Sequence, residues 1–409
     1  MQYAISSTKT SNDSISLPLS KSMANRAAIL LACSQQALPF FLREVCDDTR
    51  VMMDALESEG NVKNIEAAGT AMRFLTAYYA QKAGTVILTG SARMKERPIG
   101  ILVDALRQCG AHIGYLGKEG YPPLRIEGKS LDGGHITLDG SISSQYISAI
   151  LLIAPLMKNG LQLELLHNVT SWPYIEMTLS MLQQQGIIVK REKNSIAIAP
   201  QAYHPKAIEI EPDWSAASYW YEMVAISQTL EVDLIGLQRN SLQGDAALAD
   251  YFLKLGVQTT FTPQGAELRP IPTVCKKLNI NLQETPDIAQ TMAVCCAMCD
   301  IPFRISGLHT LRIKETDRLQ ALQTELGKLG FVIEIENNDT LTWQGEKISA
   351  TPQPLIDTYD DHRMAMAFAP VAFKEGSVHI DNPMVVNKSY PNYYEDLKKV
   401  GFEVHILVE

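Results

Sequence analysis

Met181-Leu182-Gln183-Gln184-Gln185-Gly186-Ile187-Ile188-Val189 reads as the end of an amphipathic helix, a glycine where a left-handed cap belongs, and the start of a strand. The same succession recurs. It appears in Met53-Asp54-Ala55-Leu56 running to Gly60, Val103-Asp104-Ala105-Leu106 to Gly110, Phe252-Leu253-Lys254-Leu255-Gly256, Leu326 to Leu329-Gly330, and Leu397 to Val400-Gly401. The six glycines are 50, 76, 70, 74 and 71 residues apart. A second class of helix keeps the same beat: Lys21, Gly69, Ser143, Ser215, Asp287 and Asp361 each open a helical run, at separations of 48, 74, 72, 72 and 74. Two helices and some strands per period predict an α/β protein of six units, two groups of three, with one unit cut short at the first interval. Each unit should bury one apolar helix and cover it with a sheet and an outer helix.

The bulk numbers agree with two domains. A chain of 409 residues is about twice the size of one comfortable domain. With 46% hydrophobic and 20% charged residues, it has the composition of an ordinary globular protein. Met1 to Asn12 has no cationic start followed by an apolar run, and the longest apolar stretch, Ala149 to Met157, falls well short of a membrane span. Neither export nor membrane anchoring is expected. Seven cysteines in a long chain do not suggest a disulfide framework, and Cys295, Cys296 and Cys299 lie in one apolar helical run without a second ligand pair, so they read as packing. The expected compartment is the cytoplasm, with no metal and no cofactor. A net charge of −9 argues against a general nucleic-acid binder, yet it leaves room for small anions wherever cations are gathered.

The helix starts gather them. Ser20-Lys21-Ser22 with Arg26, Gly69-Thr70 with Arg73, Ser143-Ser144-Gln145, Pro286-Asp287, Lys314-Glu315-Thr316-Asp317-Arg318, Asp360-Asp361-His362-Arg363 and Lys388 stand at or just before helical runs. A helix N-terminus offers free amide donors and a positive dipole end, so cations placed there call for an anion. Lys21, Arg26, Arg73, Arg97, Lys314, Arg318, Arg363 and Lys388 would suit phosphate and carboxylate groups. Taken singly, each also suits a solvated surface. Asp287 and Glu315 could act as acid or base, or simply cap their helices. Neither the phosphate-binding loop with Gly-Lys-Ser/Thr nor the Gly-x-Gly-x-x-Gly turn occurs, so nucleotide folds have no support.

The runs Leu19-Ser20-Lys21-Ser22 with Asn25-Arg26, Ala68-Gly69-Thr70-Ala71-Met72-Arg73, Arg93-Met94-Lys95-Glu96-Arg97-Pro98-Ile99-Gly100, Ser143-Ser144-Gln145, Lys314-Glu315-Thr316-Asp317-Arg318 and Asp361-His362-Arg363-Met364-Ala365-Met366 resemble the 5-enolpyruvylshikimate-3-phosphate (EPSP) synthases, in order and across nearly the whole chain. The resemblance implies a two-domain inside-out α/β barrel, each domain of three repeated units with the first unit truncated. Residues 18–212 would form the shikimate 3-phosphate side, and residues 1–17 with 213–409 the phosphoenolpyruvate side. The implied activity is transfer of the enolpyruvyl group of phosphoenolpyruvate to the 5-hydroxyl of shikimate 3-phosphate, by addition and then elimination of phosphate, in a monomer without metal, cofactor, nucleic acid or membrane. By the same resemblance Lys21, Ser22, Arg26, Ser143, Ser144, Gln145, Ser171, Asp287 and Lys314 are expected to hold shikimate 3-phosphate, with Tyr174 beside them. Lys21, Gly69, Arg97, Gln145, Arg318, Arg363 and Lys388 are expected to hold phosphoenolpyruvate. Asp287 takes the role of base toward the 5-hydroxyl, Glu315 that of proton carrier at the methylene group, and Lys21 joins them as catalytic. The sequence departs from the family pattern at Ala67, Phe74 and Thr310. Two other functions share related units. UDP-N-acetylglucosamine enolpyruvyl transferases carry a reactive loop cysteine, absent from Arg93 to Pro98, and RNA 3′-terminal phosphate cyclases call for a basic surface that the net charge does not supply.

Overall fold

The computed structural model describes residues 1–7, 11–204 and 206–407. They fall into two compact units. An inserted unit spans Ser20–Ile210, and a split unit is made of Met1–Leu19 and Glu211–Glu409. The limits expected at 17 and 213 fall inside the split unit, because the two crossing segments pair with each other: Leu19 bridges Pro212, and the Asp213 amide donates to the Pro18 carbonyl at 2.9 Å.

The inserted unit contains α1 (Lys21–Cys33), α2 (Asp47–Glu57), α3 (Gly69–Gln81), α4 (Gly100–Gln108), α5 (Ser144–Leu151) and α6 (Trp172–Gln184). Ten of the 13 residues of α3 and seven of the eight of α5 are buried, against four of nine in α4. So α3, packed against both α1 and α5, is an inner helix, apolar nearly all round, whereas α4 keeps a solvent face. Two four-stranded sheets complete the unit, in the orders Val62–Asn64, Gly84–Thr89, Leu124–Gly128, His112–Tyr115 and Gly134–Asp139, Leu161–Leu166, Ser195–Ile198, Val189–Glu192. In each, the first two strands run parallel across an intervening helix, and the other two form an antiparallel hairpin. Leu161, Leu163 and Leu165 point inward with polar residues between them, as a half-buried strand requires. No strand lies between α1 and α2, only the turn Phe40–Glu44. That missing sheet accounts for the short first interval.

The split unit contains α7 (Trp214–Ser227), α8 (Leu248–Lys254), α9 (Ala289–Met298), α10 (Arg318–Lys328), α11 (His362–Phe368), α12 (Ala372–Glu375) and α13 (Tyr393–Lys399). Twelve of the 14 residues of α7, all ten of α9 and all seven of α11 are buried, and these three helices pack on one another. Trp214, Trp220, Tyr219, Tyr221, Phe303, Phe368 and Tyr393 fill the core around them, each contributing about 1.5–3 kcal/mol by burial. Cys295 and Cys296 are wholly buried on α9. Three sheets repeat the order seen in the inserted unit: Asp13–Ser16, Val232–Ile235, Gly265–Pro270, Val257–Thr262; then Leu278–Asn281, Phe303–Ser306, Thr340–Trp343, Glu334–Glu336; then Leu355–Ile356, Ser377–Asp381, Gln2–Ser7, Phe402–Leu407. No helix among the described residues is long and apolar enough to cross a membrane.

Five of the six cap glycines take the expected left-handed backbone: Gly110, Gly186, Gly256, Gly330 and Gly401 have φ between 80° and 98°. In three of them the next amide reaches back over the cap, Ala111 to the Leu106 carbonyl, Ile187 to Leu182 and Phe331 to Leu326, at 3.0 to 3.1 Å. Gly60 is the exception. There α2 ends at Glu57 and its C-cap Ser58 is already extended, so the chain leaves the helix before the glycine is reached.

Candidate active site

In the split unit the first turns of α10 and α11, the turns that precede α9 and α10, and the end of the segment Pro383–Lys388 meet around two carboxylates. Asp287 lies in the one-turn segment Pro286–Ile288 that leads into α9. Its Oδ1 accepts from Lys314 Nζ at 3.4 Å and Arg318 Nη1 at 2.9 Å, and its Oδ2 faces Arg363 Nη2 at 3.3 Å. Glu315 accepts from Arg318 Nη2 at 3.0 Å and sits 3.2 Å from Lys388 Nζ. Arg318, the first residue of α10, is only 2% exposed and also donates through Nε to Asp361 at 2.7 Å. Burial opposes the charge on Asp287, but Lys314, Arg363 and Arg318 together outweigh it and hold the carboxyl well below the usual range. Burial likewise opposes the charge on Arg318, and Asp361, Glu315 and Asp287 more than restore it.

Lys314 and Glu315 stand just before α10, not in its first turn. Asp317 caps that helix by accepting from the Gln320 amide at 3.2 Å, and the pair stands in the preceding turn, where both side chains turn toward the cluster. Asp287 and Glu315 both face cationic side chains, and the cap of α11 is Asp361, which accepts from the Arg363 amide at 2.9 Å. Asp361, wholly buried beside Arg318, belongs to the cluster, a contact that its place at a helix start did not reveal.

The inserted unit carries two further groups. Arg26, on the inner face of α1, is 2% exposed and donates to the Thr178 and Ser148 hydroxyls and to the Ser22 and Tyr174 carbonyls, at 2.7 to 3.1 Å. Its guanidinium lies 5.3 Å from the Phe74 ring centroid and 6.0 Å from that of Tyr174. No carboxylate pairs with it among the described residues, and burial lowers its pKa to about 10; a buried cation so placed favours an incoming anion. Ser171, just before α6, is 7% exposed and holds φ 53°, a left-handed backbone that a non-glycine residue adopts at a cost of about 1–3 kcal/mol.

The second group joins α3 to α5. Gln145 donates to Thr70 Oγ1 at 3.2 Å, and its own amide bonds to the Ser143 cap at 3.3 Å. Ser144 beside it is buried. A Cβ on Gly69 would lie 2.7 Å from Arg97 Nη1, so the absence of a side chain lets the guanidinium rest on the start of α3. Arg73 turns back to the Gly69 and Pro98 carbonyls at 3.1 Å each. Lys21 opens α1 and pairs at 3.1 Å with Asp48, a partner that sequence spacing did not reveal.

Half-buried carboxylates steadied by several cations in one unit and, in the other, a buried arginine without a carboxylate partner among the described residues suit anionic substrates. The family model described as EPSP synthase (3-phosphoshikimate 1-carboxyvinyltransferase) matches residues 43–397. A 3-phosphoshikimate 1-carboxyvinyltransferase of Bacteroides fragilis is 48% identical over 408 residues, 99% of each chain, and one of Haemophilus ducreyi is 36% identical over 94% of this chain and 95% of its own. The solved structure of EPSP synthase from Acinetobacter baumannii superposes over the full length of both chains with a TM-score of 0.75 at 20% identity, a likeness of fold. The chain belongs to the EPSP synthase family.

Proposed function

We propose that this chain transfers the enolpyruvyl group of phosphoenolpyruvate to the 5-hydroxyl of shikimate 3-phosphate and releases phosphate, by addition followed by elimination. The observation that carries the reading is Asp287, a carboxylate kept ionised by Lys314, Arg318 and Arg363 in a chain of this family. In the free protein those cations depress its basicity. Phosphate and carboxylate groups of bound substrates would draw the same cations to themselves, and Asp287 would then regain the strength to take the proton of the attacking hydroxyl. Glu315, between Arg318 and Lys388, is read as the group that gives and removes the methylene proton.

In the split unit Arg318, Arg363 and Lys388 are assigned to phosphoenolpyruvate, and Asp287 and Lys314 to shikimate 3-phosphate. In the inserted unit Ser22, Arg26, Ser143, Ser144 and Ser171 are assigned to shikimate 3-phosphate, Gly69 and Arg97 to phosphoenolpyruvate, and Lys21 and Gln145 to both. Charge stabilisation by these fixed cations supplies much of the rate. The five sheets of one topology and the sheetless α1–α2 pair support an inside-out barrel of six units, the first truncated. The test is phosphate release from phosphoenolpyruvate with and without shikimate 3-phosphate. Release that proceeds equally without the acceptor refutes the assignment.

A further inference from the structure

Ser215 falls on the same 72-residue beat as Ser143 and Asp287, yet the proposed reaction gives it no part. It is the second residue of α7, half-buried. Its Oγ donates to Asp245 Oδ2 at 2.5 Å and accepts from Arg363 Nη2 at 3.4 Å. The same Nη2 lies 3.3 Å from Asp287 Oδ2. A hydroxyl has one proton to give, and here Asp245 takes it. That leaves the oxygen lone pairs of Ser215 facing the guanidinium, with no competing orientation.

Asp245 is itself held firmly. It is 3% exposed, in the one-turn segment Gly244–Ala247. The preceding residue, Gln243, accepts from the Trp214 amide at 3.0 Å and donates to Glu211 Oε2 at 3.0 Å and the Pro212 carbonyl at 2.8 Å. The segment is therefore tied to the start of α7. Burial pushes the Asp245 carboxyl up to about 6, against the Ser215 hydrogen bond, with Asp287 and Asp213 adding to the rise and Arg363 opposing it. A carboxyl kept in so costly a place, with Oδ1 unpartnered among the described residues, is not explained by packing alone.

We infer that Ser215 and Asp245 form a positioning pair that fixes the Arg363 guanidinium beside Asp287 and so presets it for the anionic group of the donor substrate. The inference rests on the reading of Arg363 as a phosphoenolpyruvate ligand. Neither residue of the pair need touch substrate. Both act through Arg363, so their loss should weaken donor binding and spare the chemical step.

The experiment compares Ser215→Ala, Asp245→Asn, the double variant and Ser215→Thr. Expected are a rise of about 10-fold in KM for phosphoenolpyruvate in each of the first two, little change in kcat or in KM for shikimate 3-phosphate, unaltered thermal unfolding, and recovery in Ser215→Thr. The double variant should be no worse than either single one, since both changes break one chain of contacts. Additive losses, or a fall in kcat with KM unmoved, overturn the inference. A crystal structure of Ser215→Ala decides the positioning claim independently of turnover: Arg363 still in place against Asp287 overturns it. If the unmodified protein releases no phosphate, the proposed reaction fails, and that crystal structure still judges the pair.

Discussion

Replacing Glu222 with Gln should stabilise the protein by an amount that grows with pH. Glu222 lies in the middle of α7, is wholly buried, and neither carboxylate oxygen has a hydrogen-bond partner among the described residues. Burial first, and the nearby Cys299 second, push its carboxyl well above the ordinary 4.5. The fold therefore holds it protonated over a pH range in which the unfolded chain ionises it. Below about pH 4.5 both states carry the proton and the group contributes no pH dependence. As pH rises from there toward the raised folded value, the unfolded state alone loses its proton, and stability falls by up to about 1.4 kcal/mol per pH unit. Glutamine has no proton to lose. Between about pH 5.5 and 7.5 the advantage of Glu222→Gln should thus widen by up to about 2.7 kcal/mol, which for a unit of this size is about 5–11 °C in Tm. Calorimetric unfolding of both proteins at the two pH values reads this directly. A gap in Tm that is the same at both would show that Glu222 is ionised in the fold or paired there, and the reasoning would fail.

Asp287→Asn should lower turnover by about 10² to 10⁴ while shikimate 3-phosphate still binds, measured by steady-state kinetics and calorimetric titration. Glu315→Gln should slow turnover and suppress entry of solvent deuterium into the methylene group of phosphoenolpyruvate, followed by proton NMR; exchange at the unmodified rate contradicts its role. Arg318→Met leaves the wholly buried Asp361 without its guanidinium and should cost about 3–5 kcal/mol in denaturant unfolding. Gly69→Ala places a methyl group where the Arg97 guanidinium rests; KM for phosphoenolpyruvate should rise while the unfolding temperature holds, and an unchanged KM would separate Arg97 from donor binding.

Local backbone chemistry was legible in the sequence. A glycine after the last apolar residue of a helix can only mean a few things, and at Gly110, Gly186, Gly256, Gly330 and Gly401 it meant a left-handed cap. At Gly60 the same pattern misled, because α2 stops two residues earlier and Ser58 already leads out in an extended conformation. The small and charged helix starts were equally plain, since free amides and a dipole belong to any helix. Which starts meet is a matter of packing. That Arg318 reaches Asp287, Glu315 and Asp361 together, or that Lys21 chooses Asp48, depends on contacts between segments far apart in sequence. Glu222 was invisible for a similar reason: a glutamate in a helix ordinarily marks its wet side, and α7 has almost none. Ser171 gave no sign of its left-handed backbone, which glycine or asparagine would have signalled.

The strand Gln2–Ser7 lies between Ser377–Asp381 and Phe402–Leu407, with Ile5 opposite both Val378 and Val404. Its two neighbours thus lie far along the chain and leave the ribosome long after it. At about 5–20 residues per second, the strand must wait on the order of 20–80 s with both edges bare. The inserted unit has no such wait, for every strand it needs has emerged by residue 210. Nascent chains should therefore acquire a protease-resistant inserted unit first, while Gln2–Ser7 stays open to chaperones until Phe402–Leu407 has emerged.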